Sequence, residues 1–200
     1  MADPWSDQPV LEGSHVLLRP MVRADGPAIV DAASDGRLWE LFYTVVPGPE
    51  SIESYLDRAE REEGWSRIMP FVVIEKASGD IVGATRYMRM NAPHRRLEIG
   101  TTFYASRVQR TPINSEAKLL LLTHAFEAMD CVCVQFRTDH FNFASQRAIE
   151  RLGAKRDGLI RNHQILDGRV RDTVLYSILA NEWEGAKRNL QMRLARGVSA

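Results

Sequence analysis

The fold is decided by the stretch Leu97-Glu-Ile-Gly-Thr-Thr-Phe-Tyr-Ala-Ser-Arg-Val-Gln-Arg-Thr-Pro-Ile-Asn-Ser-Glu-Ala-Lys-Leu-Leu-Leu-Leu122. Its pattern predicts a strand, a short polar loop and then a strongly apolar helix. A loop that ends at a helix N-terminus presents backbone N–H groups without helical partners, together with the positive end of the helix dipole. Such a place suits a phosphate or pyrophosphate, so we expect any nucleotide-bearing cofactor to bind at Gln109–Ser115.

The segments around this stretch predict one strand–helix–strand crossover. Strands are expected at residues 95–104 and 131–138, with an apolar helix at 115–129 between them. Strands joined by a helical crossover run parallel. Where the ends of such a pair splay, a crevice forms beside the helix N-terminus, as ligand sites do in open sheets.

The remaining strands are expected to form antiparallel hairpins. Asp167-Gly168 is the strongest short hairpin signal in the chain, and a second hairpin is predicted through residues 77–80. With two early helices and a helix after Asn142, the fold class is α/β (α+β), a mixed and mostly antiparallel sheet with helices on both faces. We expect a leader (1–13), one domain (14–180) and a helical tail (181–200). A homodimer contact through the tail stays open.

Composition excludes several function classes. The 200 residues carry 26 basic and 26 acidic side chains, so the net charge is zero and a nucleic-acid-coating role is not expected. Cys131 and Cys133 lack the paired spacing of a zinc site and are expected to be buried free thiols, so no metal is predicted. The polar N-terminus is unlike a signal peptide and no run of residues is apolar enough to span a bilayer, which predicts a soluble, cytoplasmic protein.

Two segments resemble the GNAT superfamily of acyl-CoA-dependent N-acyltransferases, and in particular its branch that acetylates the N-termini of ribosomal proteins. Gln109-Arg-Thr-Pro-Ile-Asn114 matches the Gln/Arg-x-x-Gly-x-Gly/Ala signature at its opening Gln109. Phe136–Ala154 resembles the family's second segment, in which Asn142, Ser145 and Gly153 fall in register. The resemblance covers about residues 14–180 and implies the GNAT fold.

The chain departs from the family pattern at three positions. Pro112 stands where the first glycine of the signature is expected and lacks an N–H, while Asn114 replaces the second small residue. Asn tolerates left-handed backbone better than most residues and is a partial substitute for glycine. Ile149 occupies the position at which many relatives carry a tyrosine, so a tyrosine proton donor is not expected in this helix.

The resemblance implies acetyl-CoA as the cofactor, with coenzyme A as product and no metal. Backbone N–H groups of residues 110–115 are expected to hold the pyrophosphate, and the end of the strand at 97–104 to pair with the pantetheine amides. The expected cofactor-binding residues are Phe103, Tyr104, Gln109, Arg110, Thr111, Ile113, Asn114, Ser115, Asn142 and Ser145.

Transfer from a thioester to an amine needs a neutral amine, donors for the developing oxyanion and a proton for the departing thiolate. Glu98 is the candidate base, acting directly or through water, and the bland alternative is a carboxylate paired with a neighbouring arginine. Ser145 is the candidate proton donor or thiol contact, and its alternative is a helix-surface hydroxyl bonded to a carbonyl. Asn142 also has a structural alternative as a helix N-cap.

The expected acceptor is a primary amine, either a protein N-terminus or a small molecule. The acidic end of the helix predicted at 51–63, with Glu60, Glu62 and Glu63, is most simply a solvated face, but as a rim of the acceptor site it would attract a cationic amine. Two other functions stay open: transfer of a larger acyl group such as succinyl, and a non-catalytic module that binds acyl-CoA.

Overall fold

The computed structural model describes residues 3–60 and 67–197. These residues form one central eight-stranded sheet. The strand order across the sheet is β1-β2-β3-β4-β5-β6-β8-β7. The strands are β1 (Leu11–Glu12), β2 (Val16–Pro20), β3 (Arg67–Glu75), β4 (Ile81–Asn91), β5 (Arg96–Tyr104), β6 (Cys133–Asp139), β7 (Lys155–Leu166) and β8 (Arg169–Leu179).

The described residues form five α-helices that cover the sheet: α1 (Gly26–Ser34), α2 (Ile52–Glu60), α3 (Pro112–Thr123), α4 (Phe143–Arg151) and α5 (Ala180–Ala195). Neighbouring residues of β4 show that α2 and α3 lie on opposite faces, because successive strand side chains point to opposite sides. The Arg86 guanidinium lies 5.0 Å from the ring centre of Tyr55 in α2, whereas the Tyr87 hydroxyl donates to the Leu121 carbonyl of α3.

The predicted crossover is confirmed. β5 and β6 run parallel and every other strand pair in the described sheet is antiparallel. The parallel pairing holds only Arg96–Glu98 against Cys133–Gln135, although both strands continue for several residues. We call the unpaired region between the strands beyond Glu98 and Gln135 the strand gap.

Several local predictions are confirmed or shifted. The Asp167-Gly168 turn has φ values of 48° and 78°, as expected of a tight hairpin turn. The central helix begins at Pro112 rather than at residue 115, since proline is well tolerated in the first turn of a helix. Cys131 and Cys133 are both free, and Cys131 is buried.

Segments near both ends of the described range take part in the fold. Within the segment expected to be a leader, β1 pairs with β2, and the Trp5 indole donates to the Met129 carbonyl. In α5, Trp183 stacks on Phe126 with ring centres 5.1 Å apart, and it is buried together with Leu190. No helix in the described part of the chain is long and apolar enough to cross a membrane.

Candidate functional site

Two helix N-termini lie at the same edge of the sheet. α3 follows the carboxyl end of β5 through a short loop, and α4 follows the carboxyl end of β6 after three residues. Because β5 and β6 are parallel neighbours, both helices begin beside the strand gap. The geometry therefore provides backbone N–H donors and two positive dipole ends where ligands bind in open sheets.

The loop into α3 is shaped by its own side chains. Thr111 is the N-cap: its Oγ1 accepts from the Ile113 N–H at 3.4 Å and donates to the Val108 carbonyl at 2.6 Å. Arg110 has a left-handed backbone with φ of 63°. The side chain of Gln109, the one strict match to the signature, donates to the Tyr104 carbonyl at 3.1 Å.

Pro112 fits this loop without loss of a helical hydrogen bond. It occupies the first position of α3, where an N–H has no partner within the helix in any case. Ile113 and Ser115 are buried, whereas Asn114 is half-buried. A phosphate at this terminus would therefore be reached by backbone N–H groups rather than by the Ile113 or Ser115 side chains.

The start of α4 has the expected cap. The Asn142 Oδ1 accepts from the Ser145 N–H at 3.0 Å, so Asn142 is an N-cap, and both residues are half-buried. Capping occupies the amide oxygen but leaves the amide NH₂ as a possible donor to a ligand. The Tyr176 hydroxyl donates to Glu150 Oε1 at 3.0 Å and lies 3.3 Å from Gln146 Oε1, so it is engaged with these α4 side chains rather than free at the cap.

The end of β5 has an irregular backbone beside the strand gap. Thr101 has φ of 46°, and the pairing of β5 with β4 shifts register between the pairs Ala84–Phe103 and Arg86–Gly100. Such a bulge leaves backbone groups out of the regular ladder. Phe103 is buried, and burial raises the pKa of Tyr104, so that its phenol keeps its proton at neutral pH.

Glu98 lies at the base of the strand gap. Its carboxylate is 5% exposed and forms ion pairs with Arg137 Nε at 2.9 Å and Arg89 Nε at 3.2 Å. These two arginines lie on β4 and β6, the strands on either side of β5. These pairs hold the carboxylate in a fixed place.

A second buried carboxylate lies at the end of β6. Asp139 has a fully buried side chain and pairs with Arg169 and, at 3.4 Å, with Arg171 Nε, both from β8. Its Oδ1 also accepts from the Phe141 N–H at 2.9 Å. The Arg169 guanidinium lies 5.2 Å from the ring centre of Phe42, which brings the chain between α1 and α2 to the site.

The sequence prediction missed this group of arginines, which we call the arginine cluster: Arg89, Arg137, Arg169 and Arg171. One signal was available. Arg137 and Asp139, like Arg169 and Arg171, are two residues apart on a strand and therefore share a face. Among residues 3–60 and 67–197, no group of three or more His, Cys, Asp or Glu side chains is placed to hold a metal ion.

Comparison with known proteins agrees with this geometry. Residues 15–155 match the family description "Acetyltransferase (GNAT) domain". YdaF of Bacillus subtilis (strain 168), to which a ribosomal N-acetyltransferase activity is attributed, is 30% identical over 109 residues, which are 54% of this chain and 59% of YdaF.

Solved structures show the same fold. A GCN5-related N-acetyltransferase from Brucella melitensis superposes with a TM-score of 0.84 at 29% identity, over 96% of this chain and 87% of that one. RimJ of Mycobacterium smegmatis, solved in complex with CoA-disulfide, has a TM-score of 0.78 over 100% and 99% of the two chains, and its 23% identity supports the fold alone. The chain belongs to the GNAT acetyltransferase family.

Proposed function

We propose that this protein is an acetyl-CoA-dependent N-acetyltransferase that acts on a primary amine. The observation that carries the proposal is the interrupted β5–β6 pairing, with the N-termini of α3 and α4 at the same edge of the sheet. Strand edges left unpaired need hydrogen-bond partners, and a pantetheine arm offers two amide groups of the right kind. A helix N-terminus beside that edge suits the pyrophosphate.

The residues present fit such a donor. Backbone N–H groups at residues 110–115 would hold the pyrophosphate, and the end of β5 with Phe103 and Tyr104 would border the pantetheine arm. The Asn142 amide and the Ser145 hydroxyl lie at the first turn of α4, across the strand gap from β5. Acetyl-CoA, when bound, would supply the acetyl thioester.

In this proposal Glu98 accepts a proton from the attacking amine, directly or through water. The new bond joins the amine nitrogen to the acetyl carbon and the carbon–sulfur bond breaks. The Ser145 hydroxyl supplies a proton to the departing sulfur and recovers one from water, while the proton taken up by Glu98 passes to solvent. Glu98 is suited to its part because its ion pairs with Arg137 and Arg89 hold the carboxyl group at a fixed position. No enzyme-bound acyl group is needed, since the amine attacks directly.

The acceptor class follows from resemblance rather than from geometry. YdaF, to which a ribosomal N-acetyltransferase activity is attributed, supports a protein N-terminus as acceptor. A small amine and a larger acyl group such as succinyl are the outcomes against which that assignment is tested.

The experiment measures release of the CoA thiol from acetyl-CoA and from succinyl-CoA, with a panel of peptides and small amines, followed by mass spectrometry of the products. We expect acetylated amine with acetyl-CoA. Binding of acetyl-CoA without thiol release for any amine would show a non-catalytic module, and preference for succinyl-CoA would correct the donor.

Variants then test the two side chains. Glu98→Gln is expected to lower kcat by about 100-fold with unchanged acetyl-CoA affinity, in line with loss of a general base. Glu184→Gln, on the exposed side of α5, is the matched control and should leave kcat unchanged. Ser145→Ala with full kcat would remove the proton-donor role of Ser145.

A further inference from the structure

The arginine cluster and its two carboxylates form one group on a single side of the sheet. Ile99 pairs with Tyr87, and directly opposed residues share a face, so Ile99 faces α3 and its neighbour Glu98 points to the other side. Arg137 lies on that side because it pairs with Glu98. The loop that leads into α3 and this cluster therefore flank the strand gap from opposite faces of the sheet.

The cluster has more positive than negative charge. Among the described residues, four guanidinium groups share the carboxylates of Glu98 and Asp139, so positive charges outnumber negative charges by two within this group. Burial lowers the pKa of the neighbouring His163, and the positive charges of Arg137, Arg89 and Arg171 lower it further, as expected beside an excess of positive charge. His163 is held in place by a 2.9 Å hydrogen bond between its Nδ1 and Thr173 Oγ1.

This positive charge is partly removed from water. The side chain of Arg171 is 14% exposed and that of Arg137 is 20% exposed. Burial is the largest cause that lowers the pKa of each of these two guanidinium groups. A half-buried group of excess positive charge is costly by itself, and an anion placed against it recovers part of that cost.

The backbone beside the arginine cluster has a left-handed conformation at two non-glycine positions. Arg89 in β4 has φ of 50°, and the β4–β5 pairing shifts register beside it, between the pairs Met88–Glu98 and Asn91–Arg96. Asn162 in β7 also has φ of 50°, and both Asn162 and His163 lie within the register shift between Ile160 and Gln164. Bulges of this kind re-aim side chains, and non-glycine residues in the left-handed region persist where the surroundings hold them there.

We propose that the amine acceptor carries an anionic group, a carboxylate or a phosphate, close to its amine, and that Arg89, Arg137 and Arg171 bind this group while Glu98 faces the amine. This inference rests on the proposed transferase function and names its substrate class. An acceptor that carries a cationic amine and an anionic group matches the site, because the Glu98 carboxylate at the base of the strand gap lies among guanidinium groups. The proposal does not include the attraction of a purely cationic acceptor by the acidic rim that the sequence suggested. Glu62 and Glu63 of that rim lie outside the described residues.

The test compares matched acceptors that differ only in charge. One set consists of peptides with the same N-terminal residue followed by two acidic, two neutral amide or two lysine residues. Two small pairs separate the sources of the anion: glycine against glycinamide, and phosphoethanolamine against ethanolamine. We expect kcat/KM for the acidic member to exceed that for its neutral match by about tenfold or more, with the lysine peptide poorest.

Variants show whether the arginines cause this preference. Arg171→Gln and Arg137→Gln should bring the acidic-to-neutral ratio of kcat/KM close to one, whereas Arg137→Lys should keep a part of it. The ratio is used because a general loss of activity cancels in it. Arg188→Gln, at an exposed position of α5, is the matched control and should keep the full ratio.

A binding measurement separates failure of the inference from failure of the enzyme function. Calorimetry records binding of the acidic peptide and of its neutral match to the protein with CoA, in low and in high salt. Thiol release with equal or better use of neutral or lysine acceptors would overturn the inference and leave the transferase intact. If no amine releases thiol, tight and arginine-dependent binding of the acidic peptide would still support the inference, and equal binding of both peptides would overturn it.

Discussion

Lys118 offers a sharp test of how the interior of this protein is organised. It lies in α3 with a relative exposure of 5%, and its Nζ donates to Thr102 Oγ1 at 2.8 Å and to Thr85 Oγ1 at 3.3 Å. Burial lowers the pKa of its ammonium group from 10.5 to about 7. We predict that Lys118→Met stabilises the protein at pH 7, and that this gain shrinks as the pH rises.

The magnitude follows from the pKa difference. Between about pH 7 and pH 10.5 the unfolded chain binds a proton at Lys118 that the folded chain does not bind. The free energy of unfolding of the wild type therefore rises with pH by about 1.4 kcal/mol per unit, relative to a variant without the amine. The full span corresponds to about 5 kcal/mol. Loss of the two threonine contacts offsets a part, although Thr85 and Thr102 stay hydrogen-bonded to each other at 2.7 Å.

The assay is denaturant unfolding of wild type and variant at several values between pH 6 and pH 9. We expect Lys118→Met to be more stable by about 1–3 kcal/mol at pH 7 and to lose that advantage by pH 9. Lys155→Met, at a position whose side chain is 76% exposed, is the control and should give a difference that does not vary over this range. A Lys118→Met difference that is constant with pH would refute the reasoning.

Three further substitutions test local features of the site and its support. Asn142→Ala removes the cap of α4, so we expect a loss of about 1 kcal/mol by thermal unfolding and a higher KM for acetyl-CoA; an unchanged KM would limit Asn142 to capping. Glu116→Gln weakens the acceptor of the backbone N–H groups of residues 14–16 and should lower the free energy of unfolding in denaturant by about 1–3 kcal/mol. Unchanged stability would show that water can replace the carboxylate. Tyr87→Phe deletes the bond to the Leu121 carbonyl and should cost about 1 kcal/mol with kcat unchanged, whereas a large loss of kcat would give Tyr87 a chemical role.

The fold was largely predictable because its signals are local. Alternation in the strands, the Asp167-Gly168 turn and the apolar helix between two strands each depend on residues close in sequence. The sequence pattern predicts that α3 begins at residue 115, since a proline such as Pro112 commonly lies in a loop and lacks an N–H. The first position of a helix has no helical partner for an N–H, so proline there belongs to the helix.

The arginine cluster was not predictable from one sequence. Its members come from β4, β6 and β8, and only the register of three strand pairings brings them together. In addition, Arg89 shares a side of the sheet with Glu98 only because of the irregular backbone around it. Alternation alone would place Arg89 and Met88 on opposite faces, and Met88 is the residue that pairs with Glu98.

The ion pair between Glu98 and Arg137 has two possible purposes that one substitution separates. Glu98 is the last residue of β5 that pairs with β6, and its partner there is Gln135. Arg137 lies two residues beyond Gln135. The pair therefore joins the two strands at the point where they separate, and it is a structural link as well as a candidate for proton transfer. Glu98→Gln keeps an acceptor for the arginine N–H groups and removes the proton-accepting charge. If the link is mainly structural, the variant loses stability and acetyl-CoA affinity together; if Glu98 is the base, kcat falls while both of those hold.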